Sequence, residues 1–142
     1  MNKATLTLFA ALALYATLAA AAPQTIQLLK VLQSDSVIDQ PPQGDSAGDM
    51  LVFADPVFDP TTKKQIGMDQ GSCIRVIIGK AWECSWTVVL AGGVITAEGQ
   101  YLTPADSTLA VTGGTGQYVG AKGTMTIHML QKTSLLFTYN LQ

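Results

Sequence analysis

The run Val111-Thr112-Gly113-Gly114-Thr115-Gly116-Gln117-Tyr118-Val119-Gly120-Ala121-Lys122-Gly123 constrains this chain more than any other segment. It sets five glycines within eleven residues, between one short apolar β-rich run and the next. Glycine reaches φ > 0 at little cost, so such a run marks a backbone forced through tight turns and close approaches, not a helix. A phosphate loop would need Gly-Lys-Ser/Thr opening a helix. Here Ala121-Lys122-Gly123 leads into a β-rich run instead, so the nucleotide-binding reading fails.

The remainder of the chain repeats short β-rich runs with turn residues between them. Beyond residue 22 no window holds the i, i+3, i+4, i+7 apolar pattern over three turns. Strands are expected at 25–32, 49–54, 65–68, 72–78, 82–91, 94–102, 109–112, 124–130 and 135–141. A polar loop is expected at 34–48 and a turn-rich excursion at 55–64. Gly79-Lys80 reads as a hairpin turn and Gly92-Gly93 as another. Few charges guard strand edges, so closure into an all-β, eight-stranded antiparallel barrel is expected, rather than an open sandwich. From Trp82 the even positions carry Trp82, Cys84, Trp86, Val88 and Leu90, and the odd ones Glu83, Ser85, Thr87 and Val89. The bulkier even face lines either the lumen or a layer packed against a partner subunit, and the pattern alone leaves both open.

At the N-terminus Lys3 precedes an apolar stretch at 6–18 and the small residues Ala19 to Ala22. That is the pattern of a secretory signal peptide spanning 1–22, too short for a transmembrane helix. The domain proper is then 23–142, exported to the extracellular space, or to the periplasm if the source is bacterial, with no stable membrane span. Charged residues make up 13% of the chain against 48% hydrophobic, and the formal net charge is −2. Without a basic patch, nucleic acid is not an expected partner.

Several side chains are candidates for chemistry. Asp55 follows an apolar run and precedes Pro56; it is either a turn-capping carboxylate or, in a barrel mouth, a desolvated general acid. Cys73 and Cys84 lie close across the 79–80 hairpin in either register it permits. Export favours a disulfide, whereas direct cross-strand pairing disfavours one, so both states stay open. Arg75 shares a face with Cys73 and in a lumen would anchor an anionic oxygen bidentately. Tyr101 and Glu98 fall on opposite faces of a regular strand, so only one lines the lumen. Glu83 is expected to face solvent. His128, the lone histidine, is expected on an outer polar face, and no histidine cluster exists to hold a metal.

Five segments resemble, in order and spacing, the allene oxide cyclase and dirigent protein superfamily over roughly residues 25–141. They are the run from Gly48 through Phe53-Ala54-Asp55-Pro56, then Ile66-Gly67, Gly71-Ser72-Cys73, Glu98-Gly99-Gln100-Tyr101-Leu102-Thr103, and the glycine run itself. The resemblance implies a barrel with an apolar cavity, assembled as a homodimer or homotrimer. It implies a reactive, hydrophobic, oxygenated intermediate steered to one stereoisomer without cofactor or metal. Asp55 and Tyr101 are then the catalytic candidates. Tyr101 and Cys73 match pocket residues of the cyclases, and Asp55 stands where those enzymes carry an asparagine. Phe53, Arg75, Trp82 and Trp86 would bind the guest. The chain departs from the cyclases on its first strand, where Lys30, Val31 and Leu32 offer no glutamate. It departs from the dirigent proteins at Ala54, where a second aspartate is usual. The expected activity is a secreted cyclase or isomerase of natural-product biosynthesis; the alternative is a non-catalytic lipid- or small-molecule-binding, dirigent-like protein.

Overall fold

The computed structural model describes residues 23–142; the signal-peptide expectation falls outside them. Nine strands follow one another: β1 (Gln24–Val31), β2 (Ser36–Ile38), β3 (Met50–Phe58), β4 (Gln65–Ile77), β5 (Ala81–Leu90), β6 (Gly93–Leu102), β7 (Ser107–Gly114), β8 (Gly123–Gln131) and β9 (Ser134–Leu141). All neighbouring strands are antiparallel, in the order β1-β9-β8-β7-β6-β5-β4-β3, and β1 pairs back onto β3. The eight-stranded antiparallel barrel is therefore closed, with β2 continuing the wall along β3. Among the described residues no helix is long and apolar enough to cross a membrane.

Alternation decides which face looks inward. On β5 the even residues Trp82, Cys84, Trp86 and Val88 are buried while Glu83, Ser85 and Val89 are exposed. The same period runs through Leu28, Phe53, Val57, Cys73, Ile95, Ala97, Leu109, Met125, Ile127, Phe137 and Tyr139, so one core fills the barrel. The even face of β5 thus faces the lumen. Each of the large side chains buried there contributes about 1.5–3 kcal/mol relative to exposure.

Three expectations are revised. The runs 65–68 and 72–78 form one long strand, β4, because Gly71 brings its backbone against the edge of the Phe53 ring, where a Cβ would stand 2.7 Å from Cζ. Asp55-Pro56 lies within β3, not in a turn, because Pro56 falls on the seam where pairing with β1 and β2 is interrupted and no N–H is required. The expected loop at 34–48 contains β2.

The glycine run closes the end of the barrel where β7 stops and β8 starts. It folds through a 3₁₀ turn at Gly116–Tyr118 and tucks Tyr118 into the core. Gly116 needs its φ of +60°, and a Cβ there would strike the Gly92 carbonyl. The opposite end, where β1 ends and β9 begins, is the mouth.

Candidate functional site

The seam between β1 and β3 builds the most unusual feature of the mouth. Leu29 stands opposite Phe58 and Lys30 opposite Val57, but farther along Ser36 stands opposite Val52. One extra residue has entered the β1–β2 side, a bulge of the kind that re-aims side chains. Before it, even residues of β1 point inward (Leu28, Lys30); beyond it, the odd residues Asp35, Val37 and Asp39 share the face of the inward β3 positions.

The bulge also redirects its own amides. Gln33 N and Ser34 N donate to Asp55 Oδ1 at 2.7 and 2.9 Å, and Ser34 Oγ donates to the Ala54 carbonyl at 2.6 Å. Asp55 is fully buried, yet its carboxylate stays ionised. Burial alone would raise its pKa, but hydrogen bonds from Asp35, Gln33 and Ser34, with the Lys30 charge, outweigh that and hold it at about 2. Asp35 follows the bulge on the same inward face as Asp55. Partial burial of its carboxyl and the hydrogen bond to Asp55 push its pKa up to about 7, although the residue as a whole lies exposed at the rim.

Beneath them the lumen is apolar in most of its wall and ionic at one point. Lys30 Nζ lies 3.2 Å from Asp55 Oδ2 and 3.0 Å from Asp69 Oδ2, with all three side chains within 1% of complete burial. The same ammonium sits 3.7 Å from the Phe53 ring centroid and 4.8 Å from that of Trp86. Burial raises Asp69 to about 6 against the opposing pull of Lys30. Trp86 packs at 4.5 Å on Phe53, 5.9 Å on Tyr101 and 5.3 Å on Phe137, tying the aromatic wall together. Trp86 Nε1, Tyr139 Oη and Asp69 Oδ1 have no hydrogen-bond partner among the described residues. Burial, then the Asp69 charge, raises the Tyr139 phenol well above its ordinary value.

Above the ionic cluster, the inner surface flares into an open cleft of about 490 Å³ lined by Val37, Asp39, Asp45, Asp49, Arg75 and Trp82. Arg75 stacks on Trp82, 3.9 Å from its ring centroid, and its Nε meets Asp45 Oδ1 at 2.6 Å. Asp45 also accepts from Gly79 N at 2.6 Å, and Asp49 from Gln40 N and Ser46 N. Tyr101 stands directly across from Trp82; burial, then the nearby Asp35, raises its phenol.

The residues singled out in the sequence thus share the inner face. Trp82 and Arg75 line the cleft, Tyr101 stands beside Trp82 on the next strand, Phe53, Trp86 and Asp55 are buried in the core, and Cys73 and Cys84 lie between. The cysteines stand directly opposite each other and form a disulfide, so neither is a pocket thiol. Glu83 and Glu98 face outward, and exposed His128 pairs with Asp106 at 2.8 Å. Four members escaped the sequence reading: Lys30, Asp35, Asp69 and Tyr139. A lysine in phase with Ile26 and Leu28 was the available signal for the first. An aspartate in phase with Gly71 and Cys73 was the signal for Asp69.

The allene oxide cyclase family model matches residues 26–142, nearly the whole barrel. The chain belongs to the allene oxide cyclase family. Among solved structures it is similar to a pyocyanin demethylase, with 30% identity, a TM-score of 0.73 and coverage of 84% of this chain and 100% of that one. The pterocarpan synthase dirigent protein GePTS1 matches with 14% identity and a TM-score of 0.69, over 91% and 93% of the two chains. The exo-specific intermolecular Diels-Alderase AbnU matches with 14% identity and a TM-score of 0.67, over 85% and 98%. At that identity the last two share the fold. This family's barrel therefore carries a cyclase-like or dirigent-like architecture here, with a carboxyl pair at its mouth.

Proposed function

We propose that the chain is a cofactor-free cyclase or isomerase that holds a small, hydrophobic, oxygenated and reactive guest at the barrel mouth and steers it to one stereoisomer. The observation that carries this reading is the Asp35–Asp55 pair. Asp55 is fixed and ionised by the bulge amides, so the shared proton resides on Asp35, the member that reaches the rim. Its raised pKa places that proton near neutrality, where a general acid works best.

In this mechanism Asp35 lends its proton to a guest oxygen as charge develops there during ring closure. It recovers a proton from the product, so atoms and electrons are unchanged overall. Asp55 positions Asp35, and Tyr101 offers a second donor to the same oxygen. Phe53, Trp86 and Trp82 hold the body of the guest in one near-attack pose, and Arg75 bounds the cleft. A demethylase among the similar structures, at 30% identity, supports a small-molecule guest. The Cys73–Cys84 disulfide supports export through the segment at 1–22. Self-association as a homodimer or homotrimer would use the exposed outer strip at Ile74 and Val76.

The test is product stereochemistry with self-cyclising substrates generated in situ, such as allene oxides, quinone methides and tethered dienes. Asp35→Asn should lower kcat by about 10²–10⁴-fold, the range for a positioned general acid, and erode enantiomeric excess while the guest still binds. Full rate and full stereocontrol in that variant would overturn the reading. Guest bound by the wild-type chain with no turnover in the whole panel would instead favour the binding, dirigent-like role.

A further inference from the structure

Three register slips fall at the mouth end of the barrel, each beside an adjacent pair of apolar residues. In β4 the slip lies between Arg75 and Ile77, just before the turn into β5; in β8 it lies between Met129 and Gln131. The third separates β1 from β2 along β3. Strict alternation would bury one member of each adjacent pair, but an inserted residue breaks that period. Both members of Val37-Ile38, Ile77-Ile78 and Met129-Leu130 are 42–58% exposed. Four strands lie between the β4–β5 and β8–β9 turns in either direction round the barrel, so these two pairs stand on opposite sides of the mouth. β2 supplies a third point beside β3. Backbone hydrogen bonds fix the turns to neighbouring loops: Leu32 N donates to the Thr133 carbonyl at 3.0 Å, and Thr103 N to the Lys80 carbonyl at 2.9 Å. Each turn also carries an exposed lysine, Lys80 in one and Lys132 in the other.

We propose that this rim docks the open end of the barrel onto the headgroup region of a lipid bilayer. The three apolar pairs enter the boundary between headgroups and acyl chains, and Lys80 and Lys132 meet lipid phosphates. Three apolar points spread round an opening define a plane across it, and a flat partner meets all three at once. Exposed apolar side chains beside lysines are the chemistry of an interfacial anchor: the lysine stems lie along apolar surface while the ammonium reaches phosphate. A second copy fits the rim less well. Set mouth to mouth, two copies would bring the carboxylates of Asp39, Asp45 and Asp49 against their own counterparts, and opposed like charges are costly. Those same carboxylates, inside the rim, offset the two lysines, so apolar insertion and not net charge carries the binding. The far end of the barrel shows the contrast. It holds Lys63, Lys64 and Lys122, yet its exposed Ile66 and Val119 stand singly. Val37 belongs to the rim and also lines the cleft, so an apolar guest could pass from bilayer to barrel without crossing water. Docking itself requires no turnover and does not depend on the carboxyl pair.

The experiment floats residues 23–142 with unilamellar vesicles of phosphatidylcholine, with and without phosphatidylglycerol. These residues close the barrel by themselves, and leaving out the apolar segment at 1–22 removes a second anchor. The wild-type barrel should float with both kinds of vesicle and stay bound at high salt, where exposed charges are screened. Ile78→Asn combined with Leu130→Asn should weaken binding by about tenfold or more, because two aliphatic side chains no longer leave water. Val119→Asn, at the far end and 76% exposed, should change nothing. All of these positions are exposed, so thermal unfolding should be unaltered and any loss of binding belongs to the surface. Absence of wild-type flotation, equal losses in the rim and Val119 variants, or release at high salt overturns the proposal. So does sedimentation showing that the rim variants dissolve a dimer while vesicle binding is absent, because the rim would then belong to a second copy. The two readings fail separately. Turnover that depends on Asp35 in a barrel that never floats defeats this inference alone, and flotation with turnover indifferent to Asp35→Asn defeats the proton-transfer mechanism alone.

Discussion

Lys30 is where the energetics of the site concentrate, because one ammonium balances two buried carboxylates across three strands. Removing a single partner of a buried ion pair costs about 3–5 kcal/mol, since the remaining charge is stranded. Lys30→Met strands two carboxylates, Asp55 and Asp69, and should destabilise the fold by at least that amount in urea unfolding. Lys30→Met combined with Asp55→Asn and Asp69→Asn should recover most of the loss. If the single substitution is neutral, the triad is not ionised in the folded chain. The carboxyl pair gives a second test at the same scale. Carboxyl ¹³C titration should show Asp35 changing protonation at about pH 7 and Asp55 remaining ionised down to about pH 2. Coincident titration near the ordinary value of 3.8 would dissolve the pair.

Elements explain why the sequence showed so much of the barrel and so little of its mouth. Alternation along β5 is local and unbroken, so Trp82, Cys84 and Trp86 could be assigned to one face from their spacing, and antiparallel register then brought Cys73 opposite Cys84. Whether the thiols had joined was not written in that spacing. Asp35 could not be found in the same way, because inward parity is even along β1 and odd along β2. The slip between them is a tertiary decision, taken where Pro56 offers no amide and the Asp55 carboxylate attracts two. Asp69 and Lys30 stayed hidden for a related reason. A charged residue in an apolar phase reads as an exception until its partner arrives from a distant strand. The β4–β5 hairpin carries its own prediction. The disulfide closes a short loop, with a sequence separation of 11, and loop-closure entropy gives such a staple about 3 kcal/mol. The double variant Cys73→Ala, Cys84→Ala should lose about that much in urea unfolding, and the folded wild-type chain should show no titratable thiol. A thiol count of two would remove the staple from the account.

At the scale of the whole molecule, the acidic interior sets how stability responds to pH, and the direction differs from that of most small domains. A net formal charge of −2 leaves little general repulsion, so individual carboxyls dominate. Asp69, raised to about 6, and Asp35, raised to about 7, bind protons more tightly folded than unfolded, where the ordinary value is 3.8. Between about pH 4 and 7 the native state therefore holds more protons than the unfolded chain, and stability falls as pH rises through that window. Asp55, lowered to about 2, acts in the opposite sense: its contribution is complete above 3.8 and is lost as pH falls towards 2. The two limbs meet near pH 4, so thermal unfolding between pH 2.5 and 8 should give its highest Tm in that region. Asp69→Asn and Asp35→Asn should flatten the neutral limb and leave an acid limb in place, because that limb belongs to Asp55 held by the bulge together with Asp49 and Asp59, which backbone hydrogen bonds from Ser46 and Gln40 and from Thr62 also hold below the ordinary value. A Tm that climbs steadily from pH 4 to 7 in the wild-type chain would mean that the carboxyls facing Lys30 are all stabilised as anions. The proton assigned to Asp35 would then have no place in the folded barrel.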